Sequence, residues 1–207
     1  MLLPLGTRAA LAQIVILQSQ RKPSPLLAKS LWLGKFLFIE VIDPMRDFHL
    51  PGRSAVFATN GMCATSHPLA TAAALEILKS GGNAVDAAIA GAVLLGICEP
   101  QMTGLGGDMF ALIQKNPSAD VVSLNGSGRA PKAANAAALR SQGLSAVPIH
   151  SPDAVTVPGA VDGFCRMSKD FGSLGLGEVL APATHYAREG VPVAPKAAFD
   201  WEESAAL

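Results

Sequence analysis

Between Asn83 and Glu99 runs AVDAAIAGAVLLGIC, a stretch whose small and apolar side chains would cover nearly the whole circumference of a helix. It is shorter than the roughly 20 apolar residues that cross a bilayer, so it predicts a helix buried inside a globular core. Asn83 can cap its first turn and Asp86 favours the helix dipole there. Ala87, Ala88, Ala90, Gly91 and Ala92 would let a neighbouring backbone come close. Immediately upstream, Pro68 in a first turn, an alanine- and leucine-rich run, Lys79 and the Gly81-Gly82 pair predict a second helix, ending before the first begins. The rest of the chain has to pack around this helical pair. The region Gly61 to Ile113 is therefore expected to build the core.

Downstream, Glu99-Pro100 ends the buried helix, and the glycine-rich turn Gln101 to Asp108 leads into Met109 to Gln114, expected as a central strand. The turn residues Asn116 to Asp120 fold the chain back into Val121 to Leu124, making a hairpin. Ala133 to Gln142 reads as a short surface helix, Gly143 to Pro158 as extended or looped, and Gly159 to Phe171 as a helix stopped by Gly172. A further helix is expected over Leu176 to Glu189, continuous through Pro182, and Met62 to Thr65 as the edge of a sheet. Helices alternating with a few short strands place the chain in the α/β (α+β) class.

Residues 1–44 read differently. Two apolar patches, Ala9 to Leu17 and Leu31 to Ile42, flank the basic, proline-containing run Gln20 to Pro25. The first patch is interrupted by Gln13, a poor secretory signal and too short for a span, and the second contains Lys35 and Glu40. The division expected is an N-terminal extension over 1–44, absent from the mature protein, and a domain over 45–207. The compartment stays open, with the cytoplasm favoured over secretion.

Lys plus Arg number 16 and Asp plus Glu 16, so no net charge draws the chain to nucleic acid or to an acidic membrane surface. Neither nucleic acid nor membrane is expected as a partner. Cys63, Cys98 and Cys165 are odd in number and far apart, which suggests buried thiols rather than disulfides or a zinc site. A catalytic cysteine would need a basic neighbour, and His49, His67, His150 and His185 read as surface or hydrogen-bonded loop residues. Asp153, Asp162, Asp170, Glu178 and Glu189 read as solvated charges or caps. No metal or cofactor is expected.

Two glycine-rich loops invite a functional reading. Gly104-Leu105-Gly106-Gly107-Asp108 could hold a phosphate on exposed amides, but a dinucleotide loop runs from strand to helix, and here a helix precedes and a strand follows. Close turning is the better account. Asn125 to Pro131 places Arg129 directly after a core strand, where a guanidinium can grip a carboxylate; the competing reading is a solvent-facing arginine or one bonding a neighbouring carbonyl. Arg129 is the one substrate-binding candidate. No catalytic residue can be assigned.

Four segments together, Gly61-Met-Cys-Ala-Thr-Ser-His-Pro-Leu-Ala, Leu78-Lys-Ser-Gly-Gly-Asn-Ala-Val-Asp-Ala-Ala-Ile-Ala, Gly104-Leu-Gly-Gly-Asp-Met-Phe and Val157-Pro-Gly-Ala-Val-Asp-Gly, resemble the N-terminal part of the gamma-glutamyltransferase family. The resemblance runs from about Ser54 to Pro195. It implies an N-terminal-nucleophile hydrolase, a four-layer αββα sandwich made as a self-cleaving precursor, of which this chain holds part of the large subunit. A new N-terminal threonine of the small subunit would attack the amide, with its own amino group as base. Thr59, Thr65, Thr71, Thr103, Thr156 and Thr184 do not match that motif, so the chain is expected to be inactive alone and to need the small-subunit region of its precursor as partner.

The family's large-subunit arginine, aligned on Ala130-Pro131, falls on Ser127, with Arg129 displaced by two residues. The Gly-Ser-Gly-Arg-Ala-Pro form is closer to the divergent branch with oxamate amidohydrolase-like and cephalosporin acylase-like members. A small amide carrying a carboxylate is thus the implied substrate, with glutathione among the candidates. The alternative expectation is a standalone ligand-binding or regulatory module built on the same half-fold. In either case the missing layers should leave sheet and helix faces uncovered.

Overall fold

The computed structural model describes residues 15–17, 56–148 and 151–204. The chain separates into two compact units, one made of Met1–Gln18 with Gly61–Leu207 and the other of Ser19–Asn60. Of the second unit only 56–60 is described, and all of it is exposed.

The first unit is α+β. In chain order it comprises β1 (Val15–Leu17), β2 (Met62–Ala64), α1 (Pro68–Lys79), α2 (Ala84–Cys98), β3 (Met109–Ile113) and β4 (Val122–Gly126). Then follow α3 (Ala136–Ser141), a 3-10 turn (Pro152–Ala154), α4 (Ala160–Phe171), α5 (Leu176–Val179), α6 (Ala181–Glu189) and α7 (Pro195–Ser204). The strands form two antiparallel pairs, β1 with β2 and β3 with β4. β1 lies within residues 1–44, and its Val15, Ile16 and Leu17 pair with Ala64, Cys63 and Met62.

α2 is the hub, touching α1, α4, α5 and α6. Its Ala87, Ile89, Ala90 and Leu94 are fully buried, and it has scarcely any polar face. Taking a side chain such as Ile89 or Leu94 out of water contributes about 1.5–3 kcal/mol each. The sequence pattern sets both ends of α1 and α2. His67 caps α1, its Nδ1 accepting the Leu69 N–H at 3.2 Å, with Pro68 at N1. Asn83 caps α2 in a full capping box: its Oδ1 accepts the Val85 and Asp86 amides, and Asp86 Oδ2 accepts the Asn83 N–H at 2.9 Å.

The elements differ from those expected in three places. The single helix over Leu176 to Glu189 is two, α5 and α6, parted at Leu180. Pro182 has no N–H to continue the ladder and its ring crowds the preceding turn, so it serves as an early residue of a new helix instead. Where Met109 to Gln114 is expected as a central strand, β3 ends at Ile113, and among the described residues it pairs with β4 alone. A further helix, α7, closes the described chain; Gln101 accepts from Trp201 Nε1 at 3.2 Å and donates to Asp200 at 3.3 Å, pinning it to the turn after α2. No helix among the described residues is long and apolar enough to cross a membrane.

The β3–β4 hairpin has one apolar face and one mixed face, where Phe110 and Leu112 pair with Asn125 and Ser123. Met109, Ala111 and Ile113 oppose Gly126, Leu124 and Val122 on the side packed against α4 and the core. The other side carries Phe110 and Leu112, which are 53% and 79% exposed. A two-stranded ribbon with large apolar side chains open to water has more surface to cover than this part of the chain covers.

Candidate functional site

Three loops meet beside this hairpin, and Arg129 stands on one of them. β4 ends at Gly126, where Asn125 Oδ1 accepts the Ser127 N–H at 3.0 Å and turns the chain. Gly128 follows with φ +75°, a conformation that side chains rarely adopt. The Arg129 carbonyl then accepts the Val157 N–H at 2.9 Å, while the Thr156 hydroxyl donates to the Ser127 carbonyl at 3.4 Å. The backbone of Arg129 is held, and its side chain is exposed. The described ion pairs, Arg166 with Asp170 and Lys196 with Asp200, lie elsewhere.

The third loop is the glycine run after α2. Gly107 turns its carbonyl toward the start of α4 and accepts the Gly159 and Ala160 amides at 3.0 and 3.1 Å. The loop leads from a helix into β3, and the Gly159 and Ala160 amides at the start of α4 are taken by the Gly107 carbonyl oxygen. Gly104 to Asp108 is an exposed turn, and a Cβ at Gly104 or Gly106 would meet no atom within 4 Å.

The remaining candidates take structural places. Cys63 and Cys98 lie in or against the hydrophobic core, and Cys165 is exposed on α4. Burial pushes the Cys63 thiol up; burial and then the Glu99 carboxylate push Cys98 up, so both are poor nucleophiles at neutral pH. His67 is a buried helix cap, and His185 meets Tyr186 edge-on at 5.3 Å. His49 and His150 lie outside the described residues. Asp153 accepts the Ser151 hydroxyl and Asp170 pairs with Arg166; Asp162, Glu178 and Glu189 are exposed. Ser66 donates to Glu99 Oε2 at 2.5 Å, joining the start of α1 to the end of α2. The Thr65 hydroxyl donates to the His67 backbone carbonyl at 2.7 Å, but among the described residues no hydroxyl is hydrogen-bonded to a histidine ring or an amine, and no cluster of metal-ligating side chains occurs.

Asp86 does more than favour a dipole. It is fully buried, and besides capping α2 it accepts the Ser173 N–H, at 2.9 Å through Oδ2. Asn83 reinforces the same joint by donating to the Phe171 carbonyl and the Ser173 hydroxyl. The capping pattern of Asn83 and Asp86 was readable; the partner segment nearly ninety residues later was not. The crossing of 156–159 over 126–129 also escapes sequence reasoning. Its only local signal is a glycine on each side, Gly128 and Gly159.

The gamma-glutamyltranspeptidase family model matches residues 70–207. The glutathione hydrolase-like YwrD proenzyme of Bacillus subtilis is 44% identical over 140 residues, which is 67% of this chain and 26% of that protein. The oxamate amidohydrolase proenzyme of Klebsiella pneumoniae subsp. pneumoniae is 38% identical over 146 residues, 68% of this chain and 27% of the relative. The crystal structure of cephalosporin acylase from Bacillus halodurans superposes with a TM-score of 0.70 at 44% identity, over 79% of this chain and 30% of that one. The chain thus spans about a quarter of the length of the curated relatives it matches.

Proposed function

This chain belongs to the gamma-glutamyltranspeptidase family, and we propose that it forms the helix-and-hairpin part of an amidohydrolase acting on small amides that carry a carboxylate. The observation that carries the reading is the uncovered face of the β3–β4 hairpin, which carries Phe110 and Leu112, in a chain matched to about a quarter of its relatives' length. A second sheet laid on that face would make the αββα sandwich of N-terminal-nucleophile hydrolases, with α1, α2 and α4 as one outer layer.

The division of labour follows from the chemistry. A hydroxyl nucleophile needs an adjacent base, and an acyl-transfer site needs amides aimed at the developing oxyanion. No described hydroxyl has such a base, so the attacking group belongs to another part of the proenzyme. What these residues contribute is substrate grip. Arg129, exposed on a held backbone, receives the substrate carboxylate as a forked pair of charge-assisted hydrogen bonds. That holds the amide carbon still while the nucleophile adds to it and the amine departs with a proton. Relatives named for oxamate and for glutathione support amide substrates of this kind.

The test is reconstitution: co-expression of this chain with the unmatched remainder of the YwrD-like relative, assayed on oxamate and on gamma-glutamyl-p-nitroanilide. Hydrolysis is expected, with Arg129→Ala raising KM roughly 10- to 100-fold and leaving kcat little changed. An Arg129→Ala enzyme with unaltered KM would remove Arg129 from the reading.

A further inference from the structure

The same three loops that bring Arg129 forward cross one another more tightly than side chains allow. At Gly128, a Cβ would lie 1.9 Å from the Val157 carbonyl oxygen. At Gly159, it would lie 2.4 Å from the Gly126 carbonyl oxygen and 2.6 Å from the Gly128 nitrogen. Neither obstacle is a flexible side chain; both are backbone, so neither can swing aside. Each crossing is also bonded: Val157 N–H to the Arg129 carbonyl at 2.9 Å, and Gly159 and Ala160 N–H to the Gly107 carbonyl at 3.0 and 3.1 Å. The 156–159 segment therefore runs as a strap over the exit of β4 and is itself anchored to the glycine turn before β3. Pro158, with its fixed φ, stiffens the strap between its two bonded amides.

We propose that residues 156–159 are a positioning element that sets where Arg129 presents its guanidinium, with Gly128 and Gly159 as the positions that admit the strap. The inference rests on the carboxylate-binding reading of Arg129. Geometry explains why such a device is needed. Arg129 stands in a loop and its side chain is exposed, so nothing but its backbone can fix the origin of the fork. A bidentate pair tolerates little misplacement, and lifting the loop to admit a methyl group at Gly128 moves that origin by an ångström or more. Thr156, Val157, Gly128 and Gly159 are thus positioning residues that need not touch the substrate.

The experiment uses the 207-residue chain with 15N-labelled arginine side chains and amides, and oxamate as the probe. In the unsubstituted protein the Val157, Gly159 and Ala160 amides should exchange slowly and in concert, and oxamate should shift the Arg129 Nε resonance. Gly128→Ala should weaken oxamate binding roughly 10- to 100-fold while the amides of α2 keep their protection. Gly143→Ala is the control: Gly143 also has a positive φ, +80°, but no atom lies within 4 Å of its added Cβ, so it adds backbone strain without touching the strap. Oxamate binding should survive that change. Thr156→Val, which removes one hydroxyl and cannot unfold the chain, should shift the Arg129 resonance in the free protein.

Unchanged oxamate affinity in Gly128→Ala overturns the proposal. So does rapid exchange of Val157 and Gly159 in the unsubstituted chain, a result available even where Gly128→Ala does not fold. Equal losses in Gly128→Ala and Gly143→Ala likewise overturn it, since general strain then accounts for both. Failure of oxamate to shift Arg129 while the strap amides remain protected overturns instead the carboxylate reading on which the proposal stands.

Discussion

Asp86 offers the sharpest quantitative test of the packing. Its carboxylate is fully buried, with no cation among the partners described, and it accepts the backbone amides of Asn83 and Ser173, each at 2.9 Å through Oδ2. Asp86→Ala would leave the Asn83 and Ser173 N–H groups, both only partly shielded from water, without their carboxylate acceptor. Water can reach the freed N–H groups in part, so the loss is about 1.5–3 kcal/mol, still a large part of the 5–15 kcal/mol typical of a folded domain. Asp86→Asn with its oxygen in the Oδ2 position keeps both 2.9 Å bonds but makes the acceptor neutral and turns an amide N–H2 toward the Ser173 N–H, which Oδ1 meets at 3.2 Å, so about 1 kcal/mol should be lost. Urea unfolding followed by circular dichroism measures both, with m-values checked for two-state behaviour. Gly172→Ala attacks the joint from the far side, because its Cβ would lie 2.7 Å from Asp86 Oδ1 and 2.6 Å from the Ser168 carbonyl oxygen. It should cost about 1–3 kcal/mol by overpacking. An Asp86→Asn protein within about 0.5 kcal/mol of the parent would refute the reasoning, since the carboxylate would then carry no special hydrogen-bonding load.

Other outcomes follow from the same contacts. His67→Ala should cost about 1 kcal/mol by uncapping α1, and His67→Asn should recover most of it, as read by thermal unfolding. Phe110→Ser with Leu112→Ser should leave urea stability within about 0.5 kcal/mol, because both are exposed, yet abolish reconstitution with the unmatched remainder of the YwrD-like relative. The raised Cys63 and Cys98 thiols bind protons more tightly folded than unfolded. The stability they contribute is therefore present below the ordinary thiol range and is lost as pH climbs through their raised values. Cys98→Ala should flatten that alkaline decline in a stability-versus-pH series.

Local chemistry made much of this legible. Pro68, Lys79 and the Gly81-Gly82 pair bounded α1, and Asn83 with Asp86 bounded α2, because caps and breakers act within one turn of the chain. Turn residues around Asn116 gave the hairpin for the same reason; the Ala119 N–H returns to the Asn116 carbonyl at 3.0 Å. What stayed hidden was nonlocal. Val15–Leu17 pairs with a strand more than forty residues on, and no periodicity in three residues announces that. The Asp86–Ser173 bond and the 156–159 strap join segments that only tertiary packing brings together. Leu180 shows the opposite failure: the apolar spacing continued through Pro182, and the missing N–H outweighed it. Arg129 was legible as a candidate from its place after a strand, but the means of holding it was not.

The central claim is that these residues bind and shape but do not attack. Turnover of gamma-glutamyl-p-nitroanilide and oxamate by the purified 207-residue chain, with and without the co-expressed remainder of the YwrD-like relative, measures it directly. The account predicts no hydrolysis by the chain alone and hydrolysis on reconstitution. Sustained turnover by the chain alone, surviving repurification, would contradict it.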